Sequence, residues 1–144
     1  MDIQEFLAVF DGSEIIGEKI VIKNELHEVL KYVSEKYTYT MLKDIAAVDK
    51  GENGTELIYH LYSQSNEEDL QISIFVKDEA ESVIDLFKSA IADENEIYDM
   101  FGIKFIGNDR LKRLYMPEGW EGHPLRKDYT EKDSRLAWND YNNA

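Results

Sequence analysis

Three carboxylates with the potential for acid–base chemistry lie close together in the C-terminal half of the chain. Glu94, Glu96 and Asp99 fall on one segment that is predicted to be helical. Paired carboxylates can serve as general acid and general base, but they also cap helices and bind arginines. Asp93 followed by Glu96 fits a capping box, which favours a structural role for Glu96. For Asp99, a backbone amide or a nearby arginine is the expected partner.

The three histidines do not form a metal site by their spacing. No two of them lie at metal-ligand spacing, and the His-Glu-x-x-His pattern is absent. His123 differs from His27 and His60 because it stands between Gly122 and Pro124 in a predicted rigid turn. We expect it to hold a fixed hydrogen bond at an interface, in preference to a catalytic role.

Motifs for cofactors are missing from the sequence. There is no cysteine, so thiol nucleophiles, disulfides and thiolate ligands for zinc or iron–sulfur clusters are excluded. Neither a glycine-rich phosphate loop nor a nucleophile elbow is present. The chain is therefore expected to bind no cofactor of its own, and a cytoplasmic location is the simplest expectation.

The charge is distributed unevenly along the chain. Residues 1–103 carry 8 lysines against 23 acidic residues, whereas residues 104–135 carry 8 basic against 6 acidic residues and include all four arginines. The acidic part disfavours nonspecific binding to nucleic acid or to an anionic membrane. Arginine and tryptophan are enriched at interfaces, so residues 94–129 have the composition of a docking segment; an ordinary surface loop is the alternative.

The periodicity predicts an α+β fold with two layers, a mixed sheet with helices on one face and an extended C-terminal docking tail. Residues 1–106 are predicted to form the α+β body, and residues 107–144 an extended C-terminal docking segment of the same domain. A hairpin is expected at Asn53-Gly54. Helices are predicted at 3–10, at 25–37 with Asn24 as N-cap, at 79–91 with Asp78 as cap, and at 93–101 ending at Gly102. Strands are predicted at 15–22 (one strand, or two short strands broken at Gly17), 39–48, 56–63, 70–76 and 103–106.

The run PLRKDY is typical of an extended segment, because proline fixes φ and removes a donor. Leu125 and Tyr129 would then face one way, and Arg126 and Asp128 the other. The second face could clamp the backbone or a carboxylate of a partner. An ion pair between Arg126 and an aspartate of the same chain is the alternative.

Two runs in this region resemble a known family. EIYDMFGI at 96–103 and LKRLYMPEGWEGHPLRKDY at 111–129 are similar to the signature of the thirty-kilodalton subunit of respiratory complex I, also called its C subunit. The same family includes the equivalent small subunit of membrane-bound energy-converting nickel–iron hydrogenases. The resemblance extends over about residues 20–130.

The resemblance implies a non-catalytic subunit of the peripheral arm of a membrane-bound, cation-pumping oxidoreductase. Such a subunit packs against the large catalytic subunit and a neighbouring iron–sulfur subunit, on the cytoplasmic side and without inserting into the membrane. Iron–sulfur clusters and the quinone or nickel–iron site belong to those partners. The partner-binding residues implied are Glu96, Tyr98, Asp99, Phe101, Arg110, Arg113, Trp120, His123, Pro124, Leu125, Arg126, Asp128 and Tyr129.

The sequence departs from the family pattern at three places. Asn95 stands where the family usually has arginine, Ala92 stands where an aromatic residue is common, and 107–109 (GND) stands where Gly-His-Pro is common. Two other functional classes stand beside the assembly subunit as alternatives. One is a stand-alone acidic binding or regulatory module, and the other is an enzyme that uses Glu94, Glu96 or His123.

Overall fold

The computed structural model describes residues 1–109, 122, 123 and 125. These residues form an α+β fold, which confirms the predicted class. The helices are α1 (Ile3–Val9), α2 (Leu26–Tyr37) and α3 (Ala90–Phe101); the strands are β1 (Glu14–Ile16), β2 (Lys19–Ile22), β3 (Met41–Asp49), β4 (Thr55–Ser63), β5 (Glu68–Val76), β6 (Glu79–Glu81) and β7 (Lys104–Ile106).

The main sheet is mixed, with five strands in the order β1-β2-β5-β4-β3. Strands β2 and β5 are parallel, and the other neighbours are antiparallel. The predicted hairpin is confirmed between β3 and β4, where a 3₁₀ turn at Gly51–Asn53 reverses the chain. The Lys50 amide donates to the Gly54 carbonyl at 2.8 Å and closes this turn. Strand β3 is left at one edge of the sheet.

The core lies on one face of this sheet. Leu57, Tyr59 and Leu61 alternate along β4, and all three are completely buried. On β3 a bulge between Leu42 and Asp44 shifts the register, so Leu42 and Ile45 both face the core although they are three residues apart. The apolar stripe of α2 and the inner residues of α3 join the same cluster, which gives the predicted two layers.

The predicted helix at 79–91 is wrong. Glu79–Glu81 instead forms β6, which pairs in parallel with β7 in a separate two-stranded sheet. Val83 and Phe87 are buried as predicted, but in turns that precede α3. Apolar residues at helical spacing therefore reflect burial here, and tertiary contacts override the local preference.

Two predicted helix starts are also wrong. The N-cap of α2 is Glu25, with a left-handed φ of 60°, and Asn24 precedes it. Helix α3 begins at Ala90 with Ser89 as N-cap, so Asp93 and Glu96 do not form a capping box. The Ser89 hydroxyl donates to the Leu42 carbonyl of β3 at 3.2 Å, which ties the start of α3 to the sheet. The end of α3 at Gly102 agrees with the prediction.

A buried carboxylate on α3 connects the helix to the small sheet. Glu94 has no exposed surface and accepts three hydrogen bonds, from the Ser82 hydroxyl at 2.8 Å, the Val83 amide at 2.9 Å and the Asn108 side chain at 2.9 Å. Ser82 follows β6 and Asn108 follows β7. One side chain thus joins the ends of both short strands to the helix between them.

Replacing Glu94 should cost much of the stability of the chain. Glu94→Ala removes the acceptor of three buried hydrogen bonds, from Ser82, Val83 and Asn108, so the free energy of unfolding should fall by ~2–4 kcal/mol. Glu96→Ala, two residues along the same helix but exposed, should change it by less than about 0.5 kcal/mol. Urea denaturation of the three proteins measures both values, and equal midpoints for the two variants would contradict the assignment.

A second buried carboxylate, Glu56, lies on the opposite face of the sheet and is almost fully buried. It accepts hydrogen bonds from the Lys19 ammonium and, at 2.6 Å, from the Ser73 hydroxyl. Burial by itself raises the pKa of this carboxyl, but these two bonds and the charges of Lys19 and Lys50 outweigh burial, so the pKa of Glu56 is lowered. Burial dominates at Glu94, where the pKa is raised despite its three donors.

These two carboxyls should affect the pH dependence of stability in opposite directions. The raised pKa of Glu94 means that its contribution is present below the ordinary value of 4.5 and is lost as the pH rises through the folded value. The lowered pKa of Glu56 means that its contribution is present above 4.5 and is lost as the pH falls. We expect this from urea unfolding between about pH 3 and pH 8. Glu56→Gln should lose less free energy of unfolding in acid than the wild type, and Glu94→Gln should lose less as the pH rises towards neutral. If the free energy of unfolding of both variants followed the wild-type dependence on pH, these directions would be contradicted.

Candidate functional site

Several predicted partner-binding residues meet at the C-terminal end of α3. Glu96, Tyr98, Asp99 and Phe101 lie on this helix. Tyr98 is half-buried, Asp99 and Phe101 are buried, and Glu96 is exposed. Two residues of the distant C-terminal segment, His123 and Leu125, pack against the same helix end. The other predicted residues, Arg110, Arg113, Trp120, Pro124, Arg126, Asp128 and Tyr129, lie outside the described residues.

The distant segment satisfies the carbonyl groups that a helix leaves unpaired at its end. Nδ1 of His123 donates to the Asp99 carbonyl at 2.7 Å, and the Leu125 amide donates to the Met100 carbonyl at 2.9 Å. The Gly102 amide donates to the Tyr98 carbonyl at 2.9 Å. The hydrogen bond of His123 is thus made within the chain, and it holds His123 against the end of α3, while a bond at an interface with a partner stays a prediction.

Gly102 is needed at this end for two reasons. Its φ of 77° lies in the left-handed region, which other residues rarely adopt. In addition, a Cβ on Gly102 would lie 2.6 Å from Cδ2 of the His123 ring. The ring also contacts Tyr98, with 5.9 Å between the two ring centroids. The imidazole of His123 thus occupies the space that a side chain at position 102 would fill.

Two of the carboxylates considered for acid–base chemistry, Glu94 and Glu96, face different sides of α3. Glu94 is enclosed by its three donors beside the small sheet, whereas Glu96 is exposed towards β3. Residues two apart on a helix point about 200° apart, so this separation follows from the helix geometry. Asn95, where the family usually has arginine, is buried, and its Oδ1 has no hydrogen-bond partner within the described part of the chain.

The structure adds a groove that the sequence did not indicate. It lies between α3 and the edge strand β3 and has a volume of about 220 Å³. Glu96 and Leu125 were predicted as partner-binding residues, but nothing local in the sequence brings them next to β3. The lining residues are Ile45, Ala46, Ala47, Asp93, Glu96, Ile97, Met100, Phe101 and Leu125.

Two other kinds of site are absent from the described residues. No cluster of three or more histidine or carboxylate side chains suited to a metal ion occurs among them. Likewise, none of the helices in residues 1–109 is long and apolar enough to cross a membrane.

Gly102→Ala should be more destabilising than an alanine at another left-handed glycine. Gly17 is the matched control, since its φ is 63° and a Cβ there would meet no atom within 4 Å. We expect Gly17→Ala to cost ~1 kcal/mol for the backbone alone, and Gly102→Ala to cost ~2–3 kcal/mol because the His123 ring must also move. Hydrogen exchange at the Leu125 amide should accelerate only in Gly102→Ala. If both variants lost similar free energies of unfolding and hydrogen exchange at the Leu125 amide were unchanged, the His123 ring would be shown to move aside at no cost.

Comparison with known proteins gives relatives along most of the chain. The C subunit of the NADH-quinone oxidoreductase of Citrifermentans bemidjiense is 39% identical over 130 residues, which cover 85% of this chain and 80% of the relative. The chloroplastic J subunit of the NAD(P)H-quinone oxidoreductase of Lemna minor is 39% identical over 120 residues, covering 78% of this chain and 76% of the relative. Some relatives are much longer: the chain spans 23% of the C/D subunit of the NADH-quinone oxidoreductase of Phocaeicola vulgatus, at 36% identity and 81% coverage of this chain.

A solved structure has the same fold. A chain of the membrane-bound sulfane sulfur reductase, an archaeal respiratory membrane complex, superposes with a TM-score of 0.74 at 21% identity, covering 97% of this chain and 89% of the other. The family described as "Respiratory-chain NADH dehydrogenase, 30 Kd subunit" matches residues 20–135, which include both runs noted in the sequence. The chain therefore belongs to the 30 Kd subunit family of the respiratory-chain NADH dehydrogenase.

Proposed function

We propose that this protein is a non-catalytic subunit in the peripheral arm of a membrane-bound, cation-pumping oxidoreductase. In this role it packs against the large catalytic subunit and stabilises it, beside a neighbouring iron–sulfur subunit and on the cytoplasmic side of the membrane. Iron–sulfur clusters and the quinone or nickel–iron site are assigned to those partners. The observation that carries the proposal is the match of residues 20–135 to the 30 Kd subunit family, and the positions of His123 and Leu125 at the end of α3 agree with it.

The chemistry of this helix end suits binding better than turnover. Leu125 is 56% exposed although its amide is hydrogen-bonded to the body. An exposed apolar residue whose backbone is already fixed loses less conformational entropy when a partner covers it. Of the carboxylates considered for acid–base chemistry, Glu94 is enclosed by structural donors and Glu96 faces a different side of α3.

The names of the relatives support the oxidoreductase assembly. Those that the chain covers over most of their length are the C and J subunits of quinone oxidoreductases, and the structure with the same fold is part of a respiratory membrane complex. We assign the partner-binding role to the thirteen residues predicted from the sequence, on the α3 end and in the segment that follows β7.

Native purification through a tag on this chain tests the assembly role. We expect the large subunit to co-purify, and its metals identify the complex. Bound nickel with paired Cys-x-x-Cys motifs would indicate a hydrogenase-type complex, whereas a homologous large subunit without those cysteines would indicate a quinone-reducing one. Recovery of the chain alone under gentle conditions would contradict the proposal and favour a stand-alone acidic binding module.

Leu125→Asp should release the partner subunits without unfolding the chain. Burying a new charge at an interface costs several kcal/mol, so the recovered large subunit should fall at least about tenfold. Val9→Asp on α1 is the matched control, because Val9 is equally exposed at 52% and should leave recovery unchanged. Circular dichroism should be the same for both variants. Full recovery with Leu125→Asp would remove Leu125 from the interface.

A further inference from the structure

The groove between α3 and β3 combines an apolar floor with an acidic rim. Ile97 and Phe101 of α3 and Ile45 of β3 are buried at its base. Glu96 is exposed at the rim, and Asp93 is half-buried beside it. The volume of about 220 Å³ is enough for side chains of a bound segment.

The carboxylates at this groove repel one another. Burial raises the pKa of Asp93, and the charges of Asp44 and Glu96 raise it further, while an interaction with the Ile45 amide opposes both. Asp44, in β3, is exposed and lies outside the lining of the groove, and its carboxylate pairs with Nδ1 of His60. A cation placed between Asp93 and Glu96 would relieve the repulsion between these two carboxylates, whereas an acidic segment would increase it.

Strand β3 has no neighbouring strand on the groove side, because it is the last strand of the sheet among the described residues. Helix α3 covers the first half of this edge. The Ser89 hydroxyl donates to the Leu42 carbonyl, and the Asp93 carboxylate interacts with the Ile45 amide. Beyond Ile45, Ala46 and Ala47 line the groove and are only half-buried. Leu125, 56% exposed, extends the apolar surface at the other rim.

We propose that the groove between α3 and β3 receives a segment of the large partner subunit that carries an apolar side chain next to a lysine or arginine. The apolar side chain occupies the floor between Ile97 and Ala46, and the basic side chain lies between Asp93 and Glu96. This inference rests on the proposed function for the existence of the large subunit. The charge of the rim selects the occupant, since residues 1–103 of this chain carry a net charge of −15 (8 lysines against 23 acidic residues) and a second copy would be repelled.

Charge reversal at the rim tests the basic occupant. Glu96→Lys should lower the amount of large subunit that co-purifies at low salt by about fivefold or more, and high salt should reduce the difference. Glu35→Lys is the matched control, because Glu35 is exposed on α2 and the same change in net charge occurs away from the groove. If the wild-type chain brings down no large subunit, the proposed function fails. If it does, and Glu96→Lys behaves like Glu35→Lys, the groove proposal alone fails.

Photo-crosslinking identifies the occupant directly. The crosslinking amino acid p-benzoylphenylalanine replaces Leu125 in the tagged chain within the complex, and the linked peptide is sequenced. A peptide of the large subunit with a basic residue beside an apolar one is the expected result. An acidic peptide, a peptide of a different subunit, one from this chain, or one from a second copy would each overturn the proposal.

Discussion

The second half of the described fold depends on one buried carboxylate. Strands β6 and β7 are only three residues long, and so short a pair of strands is not stable by itself. Glu94 joins the ends of both strands to α3 through three hydrogen bonds. A buried charge is tolerated only when its hydrogen bonds are satisfied. The positions of the two strands and the rotation of α3 are therefore coupled through one side chain.

The rotation of α3 about its axis determines which way its other side chains face. With Glu94 turned towards the small sheet, Glu96 must face the opposite side, next to β3. Phe101 is then buried in the core, while the carbonyls of Asp99 and Met100 accept the hydrogen bonds of His123 and Leu125. A structural constraint inside the protein thus sets the geometry of its outer surface. Residues positioned by a rigid helix cost less entropy on binding than residues on a free loop.

Membership in the 30 Kd subunit family rests on most of the described fold. The match covers residues 20–135, so it includes β3, β4 and β5 of the main sheet, α3, and His123 and Leu125 at the end of that helix. In the proposed assembly, the acidic character of residues 1–103 would add a long-range contribution, because an excess of one charge guides a partner of opposite charge. Specific contacts at α3 would then determine the docked position.

The sequence alone determined the features that depend on neighbours along the chain. Alternation predicted β4 and β5, helical spacing predicted α2, Asn53-Gly54 predicted the hairpin, and Gly102 predicted the end of α3. It also contained the family signature and, around His123, a turn that predicted a fixed hydrogen bond. These signals are local because φ preferences, turn geometry and the side-chain period act over a few residues.

Only the tertiary structure decided where those elements face and what buries them. The apolar spacing at 79–91 predicted a helix, but β6 forms there because β7 pairs with it and Glu94 holds Ser82 and Val83. Likewise, the fit of the His123 ring over Gly102 and the groove between α3 and β3 join residues far apart in the chain. Periodicity records that a side chain is buried, whereas the identity of its partner depends on long-range packing, and long-range packing leaves no local pattern.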